Sequence, residues 1–227
     1  MTKSFFVSGT DTDAGKTLVA TAILHRARAQ GLSTLGLKPV ASGCQQTEHG
    51  LRNADALSLQ QASSIELDYE QINPLAFEPA IAPHIAAQQL GKRIQVDRLA
   101  GYCRGALFSK PDLCLIEGAG GWRVPLNERE DFSALPKVLA VPVVLVVGIK
   151  LGCINHALLT AEAIAGDGVA IVGWVANRLE KDMHGYEENV QTLTQRLRLP
   201  LIAEIPFLAN PSAAAAAGYI NLAPLLG

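Results

Sequence analysis

The stretch Gly9-Thr10-Asp11-Thr12-Asp13-Ala14-Gly15-Lys16-Thr17 stands between the apolar run Phe5-Phe6-Val7 and a segment of helical periodicity in which Val19, Ala22, Ile23 and Ala27 share one face. A strand, a turn of small residues and a helix start are the setting in which backbone N–H groups cup a di- or triphosphate, because the free amides and the dipole of a helix N-terminus favour an anion. Lys16 then reaches the outer phosphates, and the Thr17 hydroxyl ligates the Mg²⁺ that accompanies them. The chain is therefore read as handling ATP or GTP. Five residues, not four, separate Gly9 from Gly15, so the general phosphate-loop pattern is met only in its Gly-Lys-Thr half. A chance Gly-Lys-Thr in an ordinary β–α turn is the bland account; the strand before it and the helix after it, stopped by Gly31 just past Gln30, argue against that.

At 227 residues the chain fits one α/β domain, expected to span 1–227, with volume for a sheet covered on both faces. A net charge of −2 gives no footprint for nucleic acid or an anionic membrane. Cys44, Cys103, Cys114 and Cys153 show neither metal-ligand pairing nor the density of a disulfide framework, which points to a reducing, cytoplasmic setting. Phe5–Val7 is too short for a signal-peptide core. The longest apolar run, Val138 to Ile149, is interrupted by Pro142 and falls far below the ~20 residues that cross a bilayer. It reads as a buried strand with its lead-in.

Strand-like runs follow at Ser4–Ser8, Thr34–Val40, Leu113–Glu117, Val143–Val147, Ala170–Ala176 and Leu201–Ile205, separated by helix-compatible stretches near 53–64, 95–108, 154–166 and 185–198. Several strands are apolar throughout, as parallel strands buried on both faces by crossover helices must be. The expected fold is α/β: a doubly wound, mainly parallel sheet with helices on both faces, of P-loop NTPase type. Right-handed crossovers bring the loops after the strands to one rim, where such sheets bind ligands. Ala213–Ala217 reads as a small helical or packed tail segment.

Other chemistry-bearing residues fall on that rim. Lys38 and Pro39 end the second strand, with Ser42 close behind; a solvated strand end is the ordinary account of such a lysine. Asp55 is either an N-terminal helix acid favoured by the dipole or a metal ligand. Glu117, closing Leu113-Cys114-Leu115-Ile116, cannot stay buried and unpaired and must meet solvent, a base or a metal. Thr17, Asp55 and Glu117 together offer the hard oxygen ligands that Mg²⁺ takes. The glycines that follow, in Gly118-Ala119-Gly120-Gly121, leave room for a ligand to approach the backbone.

Taken together, the blocks at 9–17, Lys38-Pro39-Val40-Ala41-Ser42-Gly43, Leu51-Arg52-Asn53-Ala54-Asp55-Ala56-Leu57, Pro83-His84, Glu117-Gly118-Ala119-Gly120-Gly121-Trp122, residues 146–156, Gly173-Trp174-Val175-Ala176-Asn177 and Glu204-Ile205-Pro206 resemble the dethiobiotin synthetase family. The resemblance implies an ATP- and Mg²⁺-dependent ligase that closes a ureido ring on 7,8-diaminononanoate with CO₂ (from bicarbonate), giving dethiobiotin, ADP and phosphate in biotin synthesis. It implies catalytic roles for Thr12, Lys16 and Lys38, with Lys16 and Lys38 converging from adjacent strand ends, and a magnesium site of Thr17, Asp55 and Glu117. Nucleotide contacts are implied for Asp13, Ala14, Gly15, Lys16, Thr17, Leu18, Asp55, Glu117, Gly118, Ala119, Gly120, Asn177, Arg178, Pro206, Phe207, Leu208 and Ser212, with Asn177 pairing adenine. A family acid falls near Ser212.

Substrate contacts are implied for Thr12, Lys38, Ser42 and for Gly152, Cys153, Ile154 and Asn155, the last four acting across a homodimer interface on the substrate carboxylate. Tyr186 and Asn189 compete for the place of a pocket tyrosine. His84 and His156 read as packing or supporting residues. A partition or septum-site ATPase shares the broad architecture, but such proteins generally carry an additional lysine early in the loop, where this chain has Asp11 and Asp13. A glutamine-dependent amide-forming synthetase would need a glutaminase domain for which the chain has no room.

Overall fold

Seven residues with Phe5-Phe6-Val7 at their centre, Lys3–Gly9, form β1, and the computed structural model, which describes residues 2–227, runs this strand through the middle of a six-stranded sheet. The elements continue as α1 (Lys16–Ala29), β2 (Thr34–Leu37), β3 (Val40–Ala41), β4 (Gln45–Thr47), β5 (Gly50–Arg52), α2 (Ala54–Ala62), α3 (Tyr69–Ile72), β6 (Leu75–Ala76), α4 (Pro83–Gln89) and α5 (Val96–Leu107). After these come β7 (Leu113–Glu117), α6 (Ala134–Leu139), β8 (Val143–Ile149), α7 (Cys153–Gly166), β9 (Ile171–Arg178), α8 (Tyr186–Leu197), β10 (Leu201–Ile205), α9 (Ala213–Ala217) and α10 (Ala223–Leu226). The sheet order is β10-β9-β8-β1-β7-β2, and every pairing in it is parallel.

Alternation along these strands divides the core into two layers. Phe5, Val7, Leu113, Leu115, Val144 and Val146 pack with Val19, Ile23 and Ala27 of α1, whereas Phe6, Cys114, Ile116, Val143, Leu145 and Val147 pack with residues of α5, α7 and α8. Burial on both faces is why the strands are apolar without a polar period. The helices leaving the neighbouring strands β1 and β8 cover opposite faces, so a crevice opens between their C-terminal ends, the switch point of a doubly wound sheet.

Two expectations need correction. The run Thr34–Val40 is not one strand: Pro39 has no N–H to give a ladder, the Lys38 N–H turns out of the sheet to the Ile72 carbonyl (2.9 Å), and Val40–Ala41 pairs instead with Leu75–Ala76. Burial on α1 is also wider than one face, taking in Ala20, Thr21 and Leu24, because α2 and α9 cover the side turned from the sheet. The alanine run at 213–217 is that packed helix, with Ala216 and Ala217 buried. Strands β8 and β9 run two residues past their expected ends, to Ile149 and Arg178.

Candidate active site

Gly15 holds φ +93° at the start of α1, and a Cβ placed there would lie 2.1 Å from Asn177 Nδ2. Conformation and space both demand glycine. The turn delivers Lys16 into the fold, where its side chain is buried and Nζ donates to the Asp11 carbonyl (2.9 Å). Burial, together with the ammonium of Lys38, lowers the Lys16 pKa to about 8, against the opposing pull of Glu117, Asp55 and Asp13.

Lys38 is not a solvated strand end. Its Nζ donates to Glu117 Oε1 (2.6 Å) and the Gly118 carbonyl (2.9 Å) and stands 3.3 Å from Asp55 Oδ2. Burial would lower its pKa, but Glu117 and Asp55 outweigh that and hold it above the ordinary lysine value. Lys16 and Lys38 do not come from adjacent strands: β7 lies between β1 and β2, and it places the wholly buried Glu117 against Lys38, where its charge also acts on Lys16. The charge of this acid opposes the burial that disfavours both ammonium groups and the repulsion that Lys16 feels from Lys38.

Glu117 Oε1 also accepts from the Thr17 hydroxyl (2.9 Å), while Oε2 is buried with no partner in the protein. Asp55 stands in the first turn of α2, the place of a helix acid, and its carboxylate also turns to Lys38. Asn53 is the residue that caps α2, its Oδ1 accepting from the Asp55 and Ala56 amides, which leaves the Asp55 carboxylate turned to Lys38. Two carboxylates, one of them with an unpartnered buried oxygen, and one hydroxyl fit Mg²⁺, a hard ion that completes its shell with water and phosphate oxygens.

These groups line one cleft of about 750 Å³, inside the ~300–1,000 Å³ range of small-molecule sites. Thr12, Asp13, Gly15, Leu18, Ser42, Ala119 and Gly120 share its wall, and the Ser42 hydroxyl is buried there without a partner. The glycines after Glu117 divide their work. Gly118 packs on the Phe6 ring, where a Cβ would meet Cζ at 2.8 Å, and only the segment from Ala119 to Gly120 opens on the cleft.

Sequence reasoning missed Asn53, Val124 and the segment Ala80-Ile81-Ala82-Pro83 of the wall. Asn53 had a signal, an amide side chain at the residue before a helix. Pro83 at the first turn of α4 was another.

Along the rim past β8, Asn177, next to last in β9, donates from Nδ2 to the Ala14 carbonyl (3.0 Å), and Ala14 is itself buried. Arg178 stacks on the buried Tyr186 ring at 4.3 Å and donates to the carbonyls of Glu180 and Lys181. Pro206, Phe207 and Leu208 follow β10, with Phe207 partly exposed. Ser212 caps α9, its hydroxyl accepting from the Ala215 amide.

Gly152, Cys153, Ile154 and Asn155 open α7 and do not line the cleft. Of the two competitors for the pocket tyrosine, Asn189 lies by this helix start, its Oδ1 3.6 Å from Cys153 Sγ, while Tyr186 is buried beneath Arg178. His156 is exposed on α7 and does not pack; His84 Nδ1 is buried without a partner.

The family model for an AAA domain matches residues 3–215. An ATP-dependent dethiobiotin synthetase of Cellvibrio japonicus is 59% identical over 224 residues, which cover 99% of this chain and 98% of that one. The enzyme of the same name from Pseudomonas paraeruginosa is 55% identical, covering 98% and 97%, and that from Aeromonas salmonicida is 47% identical over the whole of both chains. Among solved structures, a ParA family ATPase of Chlorobium tepidum aligns with a TM-score of 0.57 at 14% identity, covering 100% of this chain and 95% of that one. The septum site-determining protein MinD of Pyrococcus horikoshii, complexed with Mg-ADP, aligns at 0.54 and 16% identity, covering 89% and 81%. At such identities the structural likeness is one of fold.

Proposed function

The chain belongs to the dethiobiotin synthetase family, and on that footing we propose how its residues divide the reaction. It is an ATP- and Mg²⁺-dependent ligase that joins 7,8-diaminononanoate and CO₂ into dethiobiotin, with release of ADP and phosphate. One amine captures CO₂ as a carbamate, a carbamate oxygen takes the γ-phosphoryl group to give a mixed carbamic-phosphoric anhydride, and the second amine displaces phosphate as the ring closes.

Each stage gathers negative charge at one place, so orientation and preorganised cations carry the catalysis. Lys16 holds the outer phosphates. Lys38, fixed by Glu117 and Asp55, faces the carbamate and the transferring phosphoryl group, with Thr12 and the unpartnered hydroxyl of Ser42 orienting the substrate. Thr17, Asp55 and Glu117 hold Mg²⁺, which neutralises phosphate oxygens when bound. Asn177 pairs adenine, flanked by Arg178 and by Pro206, Phe207, Leu208 and Ser212. The observation that carries this reading is the pair of buried lysines in the cleft below the phosphate loop, with Lys38 bonded to the wholly buried Glu117.

We assign the substrate carboxylate to the start of α7 in a second copy of the chain, making a homodimer with shared sites. A helix N-terminus suits a carboxylate. Residues 152–155 lie outside their own chain's cleft, and the same corner carries Leu151, 94% exposed, and Leu159, 56% exposed, an apolar surface of the kind that partners cover. One domain over 1–227 in the cytoplasm is the setting we propose. It is supported by four free, buried thiols, and no helix among the described residues is long and apolar enough to cross a membrane.

Purified protein incubated with 7,8-diaminononanoate, bicarbonate, Mg²⁺ and ATP should yield dethiobiotin by mass detection. Folded protein that turns over ATP only with another acceptor overturns this assignment of substrate.

A further inference from the structure

Resting on the assignment of Asn177 to the adenine site, we infer that this residue is also a positioning residue for the phosphate loop, so that one side chain sets both the base pocket and the phosphate cradle. Asn177 is 4% exposed and reaches across the sheet rim to donate Nδ2–H to the Ala14 carbonyl at 3.0 Å. A carbonyl only accepts, so this contact fixes which end of the amide faces the loop. Gly15 rests on the same side chain, since its missing Cβ would overlap Nδ2 at 2.1 Å and approach Cγ at 3.1 Å.

Behind the loop, Gly148 of β8 pairs in register with Asn177 and brings the sheet to within 3.1 Å of Ala14 Cα, measured from the position a Cβ would take. The turn Ala14–Gly15 is therefore seated on β8 and β9 at once, with Asn177 as its only side-chain hydrogen bond from β9. The second Nδ2 hydrogen and Oδ1 remain for the base. Ala14 and Gly15 precede the amides of Lys16 and Thr17, which open α1. Displacing that turn moves phosphate donors that no base touches.

The test separates the two roles by ligand. Asn177→Ala and the isosteric Asn177→Asp are compared with the unaltered protein by calorimetry against Mg·ATP and against magnesium with inorganic tripolyphosphate, which has no base. Loss of one buried hydrogen bond that holds the loop should weaken tripolyphosphate about tenfold and ATP more. Phe207→Ala, at the flank assigned to adenine, should weaken ATP while leaving tripolyphosphate as it was. A folded Asn177 variant with unchanged tripolyphosphate affinity and weakened ATP overturns the positioning role and leaves Asn177 a base reader alone. Unaltered protein that binds tripolyphosphate but gains nothing from the base overturns the adenine assignment itself. If one variant melts below the assay temperature, the other supplies the comparison.

Discussion

At the scale of single residues, the site is governed by one acid serving two lysines. Glu117→Gln removes the charge opposing Lys38 and Lys16 and one of the proposed metal ligands, so Mg·ATP affinity and turnover should both fall; calorimetry with near-normal Mg·ATP binding would contradict the shared site. Lys38→Gln should lower turnover by at least ~10²-fold with a much smaller change in ATP affinity, since the cation acts on charge that develops during the reaction. Lys16 sets a pH dependence whose sign follows from its lowered pKa of about 8. Below that pH it is already charged and ATP meets an ammonium; above it, binding must take up a proton. ATP affinity should thus be flat at lower pH and weaken toward about tenfold per unit above pH 8. Calorimetry in two buffers of different ionisation heat measures the proton uptake, and Lys16→Met should abolish it. Glu117 was legible in the sequence because an acid closing an apolar strand needs a partner; that the partner is Lys38 was not, since the order of the strands is invisible along the chain.

At the scale of elements, the long segment from Gly118 to Ser133 is tied down far from the chemistry. Trp122 Nε1 and Arg123 both donate to Asp167, the residue just after α7, at 2.7 and 3.0 Å, and Trp122 packs edge-on against Phe6. Burial would raise the Asp167 pKa, but its bonds to Arg123 and Trp122 prevail and hold it below the ordinary aspartate value. The depressed value means that this tether contributes above pH ~4 and is lost as acid protonates the group. Asp167→Ala leaves the indole N–H without its acceptor and should cost about 1–3 kcal/mol in urea unfolding. The emission of Trp122, one of two tryptophans, should shift to the red. Elements with a period were readable: β7 and β10 have their expected bounds, and the four anticipated helices differ by one or two residues. The pairs β3–β6 and β4–β5 and the one-turn helices α3 and α10 were not. Two to four residues carry no period, and what fixes them is tertiary contact, as in the Tyr69 hydroxyl that links the Asn53 amide to Asn73.

For the whole molecule, the prediction is complementation. Lys38→Gln chains mixed with Asn155→Trp chains should regain part of the activity that neither has alone, because a heterodimer holds one intact pair of cleft and carboxylate anchor. A verified heterodimer without recovery, or a fully active monomer, refutes the shared site. The sheet order carries a further consequence for how the protein is made. β1 is translated well before β7 and β8, which flank it, so Phe6 waits for both Ile116 and Val143 before its ladder closes. Such distant pairings make folding slow and leave an apolar strand uncovered in the nascent chain. The nucleotide loop, whose backing includes Gly148 and Asn177, cannot seat until most of the protein has been translated. Synthesis interrupted before β9 should therefore release a chain that chaperones retain and that nucleotide does not rescue, whereas full-length chains refolding in Mg·ATP gain their final stability from the ligand.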